Sequence, residues 1–165
     1  MFPQLPEIKR DRGILLDTNL LILYLVGITN RNRIGRYKRT QSYTEGDFDR
    51  LVSLLSRSDV FVTTPHVLTQ VSDLVKLDAP EFELFLELFG KWVGETSEHV
   101  TPAAELVRHP IFPRVGLADA GIGSVAEQGT VVVTDDFDLY LALLERELPV
   151  INFNHLRSQF TTSEE

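Results

Sequence analysis

The chain has 165 residues, 43% of them hydrophobic and 24% charged, which suits one globular domain and excludes a disordered or fibrous one. With no cysteine it has no disulfides, no zinc–thiolate site and no thiol catalysis. A net charge of −8 rules out a uniformly basic nucleic-acid coat.

Residues 1–13 mix Pro, Glu, Lys, Arg and Asp without an apolar core, so no secretory leader is expected there. The run Gly13-Ile14-Leu15-Leu16-Asp17-Thr18-Asn19 predicts a buried strand that ends in a carboxylate. An apolar helix pattern follows at once over residues 20–26, which puts Asp17 at the C-terminal tip of the strand. In open α/β sheets, ligands and metals bind at that edge. The apolar stretch 20–28 is far shorter than the ~20 residues of a membrane span, and a soluble, cytoplasmic protein is expected.

Between Asp17 and Glu45 there is no acidic residue, and Arg31, Arg33, Arg36, Lys38 and Arg39 sit together in a segment, residues 29–43, expected to be irregular. Setting these five aside leaves 11 basic against 24 acidic side chains, a balance of −13 for the rest. A basic segment on an acidic body is a candidate for binding phosphate, and hence nucleic acid.

Phe48, Leu51, Val52 and Leu55 then repeat at helical spacing behind a cap at Thr44. A strand over 60–63 leads into Thr64-Pro65-His66-Val67-Leu68-Thr69-Gln70-Val71-Ser72-Asp73, with Pro65 suited to the first helical position. After Pro80, Phe82, Phe85, Leu86 and Phe89 predict a helix, and the stripe Phe82, Phe85, Phe89 and Trp92 reads as core rather than as a base-stacking surface. Residues 98–113, which contain Pro, are the second expected irregular segment. Gly116-Leu117-Ala118-Asp119-Ala120-Gly121-Ile122 places one carboxylate in the first turn of a helix of small residues. A strand over 130–133 opens through Thr134-Asp135-Asp136-Phe137-Asp138-Leu139 into a helix carrying Phe137, Tyr140, Leu141 and Leu144. A last strand falls at 150–151, and residues 158–165 are expected to fray. Strands this apolar, alternating with helices, imply an α/β domain spanning 1–165, core about 12–157, with a parallel sheet covered on both faces.

Each carboxylate has a structural reading of its own. Asp135 or Asp136 makes a good helix N-cap, Asp119 complements a helix dipole, and Asp73 suits a solvated face. Together they point elsewhere. Asp17 and Asp136 both follow strands expected to be central and parallel, and the helices bearing Asp119 and Gln70/Asp73 start near the same edge. Carboxylates gathered there repel one another unless a cation neutralises them. Four scattered histidines (His66, His99, His109 and His155) offer no pair at ligand spacing. Oxygen donors alone select hard ions, Mg²⁺ or Mn²⁺, which in a carboxylate cup promote phosphodiester hydrolysis.

On Leu15-Leu16-Asp17-Thr18-Asn19-Leu20-Leu21, the Thr64 to Ser72 run, Asp119-Ala120-Gly121-Ile122 and Thr134-Asp135-Asp136-Phe137-Asp138-Leu139, the chain resembles the PIN-domain nucleases over nearly its whole length. The resemblance implies a three-layer, Rossmann-like fold with a mostly parallel sheet of about five strands flanked by helices. It implies a Mg²⁺- or Mn²⁺-dependent endonuclease, commonly a ribonuclease acting on single-stranded RNA, with single-stranded DNA as the other substrate. Many bacterial relatives are toxins held by an antitoxin, and homodimers are common in the family. Carried across, Asp17 is the first metal-binding carboxylate, Asp119 the third and Asp136 the fourth, with Asp138 auxiliary to it. Thr134 matches the hydroxyl residue that orients the site and Asn19 the polar residue after the first Asp. At the second position the family has Glu and this chain has Gln70, which carries no charge and cannot act as a base. Asp73, three residues on, is the available substitute. The departure leaves open a weakened module that binds RNA or protein without cutting. Two other Asp-rich α/β families fit less well: a haloacid dehalogenase-type phosphatase wants Asp where Asn19 stands, and a receiver domain wants an acidic pair near the N-terminus.

Overall fold

In the computed structural model, which describes residues 4–161, the first strand is β1 (Ile14–Leu16), with all three side chains buried. Successive strand side chains point to opposite faces, so an unbroken buried run means a sheet covered on both sides. The chain continues through α1 (Thr18–Thr29), a 3-10 helix (Arg31–Arg36), α2 (Glu45–Leu55), β2 (Val62–Thr63), α3 (Pro65–Leu74) and α4 (Glu81–Glu95). It then forms β3 (Ser97–Glu98), α5 (Ala103–Leu106), α6 (Phe112–Val115), α7 (Leu117–Ala126), β4 (Val131–Thr134), α8 (Phe137–Leu144), β5 (Val150–Asn152) and α9 (Phe153–Thr161).

β1, β4 and β5 pair in parallel in that order, and β2 pairs in parallel with β3. A single parallel bridge, Ile14 to Phe61, joins the two groups, giving the spatial order β3-β2-β1-β4-β5. The chain therefore builds outward from β1 on one side, then returns to build outward on the other. The reversal lies between β1 and β4, in register Leu16 to Val133. At such a reversal the two following helices diverge to opposite faces and leave a crevice at the strand ends.

Local chemistry accounts for the helix starts. Thr44 and Asp47 form a capping box on α2, Thr64 caps α3 with Pro65 in the first turn, and Asp17 and Asp136 cap α1 and α8. α1 is buried nearly all round (Leu20 to Leu23 and Leu25 to Gly27), as a central helix must be. No helix among the described residues is long and apolar enough to cross a membrane. At Gly13 the backbone is left-handed (φ 81°), and an added Cβ would sit 2.7 Å from the Val60 carbonyl oxygen. At Gly27 an added Cβ would overlap the Phe48 ring, which lets α2 close against α1. Gly27→Ala is therefore expected to cost about 1–3 kcal/mol by overpacking. Thermal denaturation checks it, and an unchanged midpoint would mean that α2 is free to shift.

Three sequence expectations are revised. The basic segment is not irregular: it holds the 3-10 helix and turns, because Ile34, Tyr37, Thr40 and Tyr43 recur every third residue and are all buried. Residues 98–113 hold α5 and start α6, anchored by the buried Leu106 and Ile111. β3 has two exposed side chains, so no apolar pattern announced it. Of the aromatic stripe, Phe85 is fully buried and stacks on Phe82 and Phe89, while Trp92 packs against Tyr24 and Phe61. The α9 backbone continues to Thr161, and the rest of the tail lies outside the described residues.

Candidate functional site

β1 and β4 deliver Asp17 and Thr134 side by side at the strand-order reversal. Asp17 is buried, and its backbone N–H still belongs to the sheet, donating to the Val133 carbonyl (3.0 Å). Its Oδ1 accepts from the Leu20 N–H at 3.0 Å as the cap of α1. Its Oδ2 accepts from the Thr134 hydroxyl and from the Asp135 N–H at 3.1 Å. Thr134, wholly buried, also accepts from the Asp136 N–H at 3.0 Å. One hydroxyl thus holds the first carboxylate and the turn that carries the next two.

Asp135, not Asp136, is the carboxylate that Asp17 senses. Burial first, then the Asp135 charge, raises the Asp17 carboxyl to about 8 against the pull of its three hydrogen bonds. Asp135 Oδ1 accepts from Asn19 Nδ2 at 3.3 Å and Oδ2 from the Tyr43 hydroxyl, while Asn154 Nδ2 donates to its carbonyl at 3.0 Å. Burial, together with the bond to Asp135, raises the Tyr43 phenol above its ordinary range, so it stays a donor. The Arg157 guanidinium lies 4.8 Å from the centre of its ring and donates to the Ser42 carbonyl at 2.7 Å.

The second pair is Asp119 and Asp136. Asp136 caps α8 through Oδ1 to the Leu139 N–H at 2.9 Å. Asp119, in the first turn of α7, is raised to about 6 by burial and then by the Asp136 charge. No Lys or Arg among the described residues lies within ion-pairing distance of Asp17, Asp119 or Asp136.

The remaining expected residues fall at different distances from this chemistry. Gln70 is exposed on α3, and its Oε1 accepts from the Thr18 hydroxyl, next to Asp17. Asp73 is exposed one turn further along α3 and perturbs neither Asp17 nor Asp119. Asp138, 76% exposed, stands 3.9 Å from Arg114. The expected cup of Asp17, Asp119, Asp136 and Asp138 is thus two pairs, Asp17 with Asp135 and Asp119 with Asp136, joined through Thr134. Asp138 is outside them because helix geometry turns the residue two places past the cap away from the strand ends. Asp135, Tyr43, Thr18 and Asn154 are additions. The acidic run around Asp135 was visible in the sequence, but no local signal links Tyr43 or Asn154 to it.

The basic segment divides as well. Arg31 pairs with Asp49 and Glu45, and Arg33 pairs with Glu81, which also accepts from Asn30. These two tie the segment to α2 and α4. Arg36, Lys38 and Arg39 are exposed and have no ion pair among the described residues. If the segment guides nucleic acid, reversing the charge of Arg36, Lys38 and Arg39 is expected to weaken binding of single-stranded RNA about tenfold or more at low salt and to flatten its salt dependence. The same change at Arg31 and Arg33 should lower the melting temperature instead. Fluorescence anisotropy at several salt concentrations separates the two outcomes, and equal slopes in wild type and triple mutant would refute a nucleic-acid role for the free three.

A cavity of about 440 Å³ opens between α3 and α7, lined by Pro65, His66, Thr69, Gln70, Leu117 and Ala118, the residue before Asp119 in the chain. A separate cavity of about 320 Å³ beside β5 and α8, lined by Leu5, Pro6, Tyr140 and His155 among others, touches none of the expected site residues.

As a donor set the two pairs are oxygen-only, partly desolvated and uncompensated. That fits a hard divalent ion, which takes one or two carboxylates and completes its shell with water and phosphate. No three Asp, Glu, His or Cys side chains among the described residues converge as a complete ligand group. No protein-family model and no curated protein matches the chain.

Proposed function

We propose that this protein is a metal-dependent endonuclease of the PIN-domain type, with a Rossmann-like sheet and single-stranded RNA as its substrate. The observation that carries the reading is the buried Asp17 beside Asp135, at the strand-order reversal, with no basic partner on Asp17. A protein gains nothing in stability from such a pair, since each charge raises the cost of the other. The arrangement makes sense as a cation site.

Asp17 and Asp135 would hold one Mg²⁺ or Mn²⁺, and Asp119 with Asp136 would supply the other ligands or water contacts. The ion, when bound, offsets negative charge on a phosphodiester and makes a neighbouring water more acidic. The chain's own residues do the positioning. Thr134 and the Asp135 N–H fix Asp17 Oδ2, Asn19 and Tyr43 fix the two oxygens of Asp135, and the Leu139 N–H holds Asp136 Oδ1. Arg36, Lys38 and Arg39 attract the phosphate backbone.

The test is incubation of end-labelled single-stranded RNA with Mn²⁺. Cleavage is expected in wild type and a loss of about a hundredfold or more in Asp17→Asn and in Asp135→Asn. Cleavage that survives both substitutions would refute the reading.

A second reading, binding without cutting, is favoured by one observation: Gln70 brings no charge, and its oxygen is already engaged by Thr18. Gln70→Glu adds a carboxylate at that point and is expected to tighten Mn²⁺ binding about tenfold or more. Calorimetry checks it, and equal affinities would place residue 70 outside the ion's reach.

A further inference from the structure

We propose that the cavity between α3 and α7 is a nucleobase subsite in which Gln70 reads a carbonyl-bearing base next to the phosphate held at the acidic pairs. The inference rests on the nucleic-acid reading above and adds a recognition element to it. At about 440 Å³ the cavity lies within the roughly 300–1,000 Å³ of small-molecule pockets. Pro65, Leu117 and Ala118 give it apolar walls, while His66, Thr69 and Gln70 bring hydrogen-bonding groups. None of the six carries a carboxylate, ammonium or guanidinium, so the cavity suits a neutral, flat, partly polar group and not a phosphate.

Its position selects which neutral group. Ala118 immediately precedes Asp119, and Gln70 is bonded to Thr18, which immediately follows Asp17. The cavity is therefore within a residue of Asp17 and of Asp119, close enough for the base of a nucleotide whose phosphate sits at those carboxylates. Single-stranded RNA offers such bases unpaired and free to be read on their edges.

The Thr18 hydroxyl then decides what the cavity reads. It donates to Gln70 Oε1, which orients the amide and leaves both Nε2 hydrogens without a partner among the described residues. Two donors on a residue that lines an uncharged cavity match a carbonyl oxygen with its two lone pairs, as on uracil, cytosine or guanine. Adenine accepts only through ring nitrogens with one lone pair each, and the bidentate pairing of Gln with adenine also needs the amide oxygen that Thr18 engages. A glutamate at position 70 could not donate at all. Gln70 therefore gives the site a function that a carboxylate there would lack.

Binding of fluorescein-labelled RNA octamers of A, C or U to the wild-type chain, measured by anisotropy in Ca²⁺, an oxygen-liganded ion that leaves the acidic pairs intact, with the octamers checked to be uncut, tests the proposal. The U and C octamers are expected to bind about fivefold or more tighter than the A octamer. Gln70→Leu should bring all three within about twofold by weakening U and C. Thr69→Trp, at an exposed position on the cavity wall, should weaken U and C by filling the space. Equal binding of the three octamers, no binding of any, or a preference that survives Gln70→Leu would overturn the subsite. Cleavage by the wild-type chain is scored separately. A base preference without cleavage refutes the nuclease and keeps the subsite, whereas cleavage without preference does the reverse.

Discussion

Replacing Asp17 with Asn is expected to stabilise the metal-free protein, and to do so more as the pH rises. Burial and the Asp135 charge push the Asp17 carboxyl up to about 8 in the folded chain, from an ordinary 3.8. Between those values the folded state holds a proton that the unfolded state has released, so stability falls as pH rises through the window. Below it both states are protonated and the group contributes nothing. Above about 8 the penalty is complete. At 1.36 kcal/mol per pKa unit it grows from about 2 kcal/mol near pH 5 to about 6 kcal/mol near pH 9. Asparagine cannot ionise, but its amide faces the Asp135 N–H and loses part of that hydrogen bonding. The pH-dependent part of the gain is therefore the diagnostic quantity. For a domain of this length about 4 kcal/mol corresponds to roughly 8–16 °C. Melting curves of both proteins in EDTA at pH 5 and pH 9 measure it, and a difference that stays constant with pH would mean that Asp17 is ionised throughout.

Divalent-ion affinity should follow the same protons with the opposite sign. An ion at the acidic pairs must displace the proton on Asp17 and, at lower pH, the one on Asp119, which titrates at about 6. Mg²⁺ affinity is therefore expected to rise about tenfold per pH unit between pH 6 and pH 8, with about one proton released per ion near pH 7. Calorimetry in two buffers of different ionisation enthalpy counts the protons directly. Asp17→Asn should abolish the slope as well as most of the affinity. An affinity that is flat across this range, with no proton release, would place the ion elsewhere or remove it from the molecule. Ion binding also offsets the repulsion within each pair, so added Mg²⁺ should raise the melting temperature of the wild-type chain more at pH 8 than at pH 6.

Most of the element order could be read in advance, because it depends on local patterns. Apolar runs bounded by polar residues located β1, β4 and β5, and caps at Thr44 and Thr64 located α2 and α3. β3 could not, since its two exposed side chains carry no pattern and its pairing with β2 is made by backbone groups. The basic segment was misread as irregular because its order comes from a threefold spacing of buried residues in a 3-10 helix, a period that neither helix nor strand templates detect.

The chemical inventory belongs to the sequence by itself: oxygen donors without cysteine, Asp17 at the end of a buried strand, Gln70 where the resemblance asks for glutamate, and a basic run on an acidic body. Those follow from residue type and local periodicity alone. Which carboxylates face one another was decided only by the tertiary structure. The parallel register of β1 with β4 brings the Asp135 N–H to Asp17 across more than a hundred residues of chain, and the packing of α7 against α8 puts Asp119 in the field of Asp136. The same holds for Arg31 and Arg33, whose charges are spent on Asp49 and Glu81, and for Tyr43, whose hydroxyl reaches Asp135. A side chain's type is local, but its partner is fixed by the path of the backbone, and that path is set by packing across the whole domain.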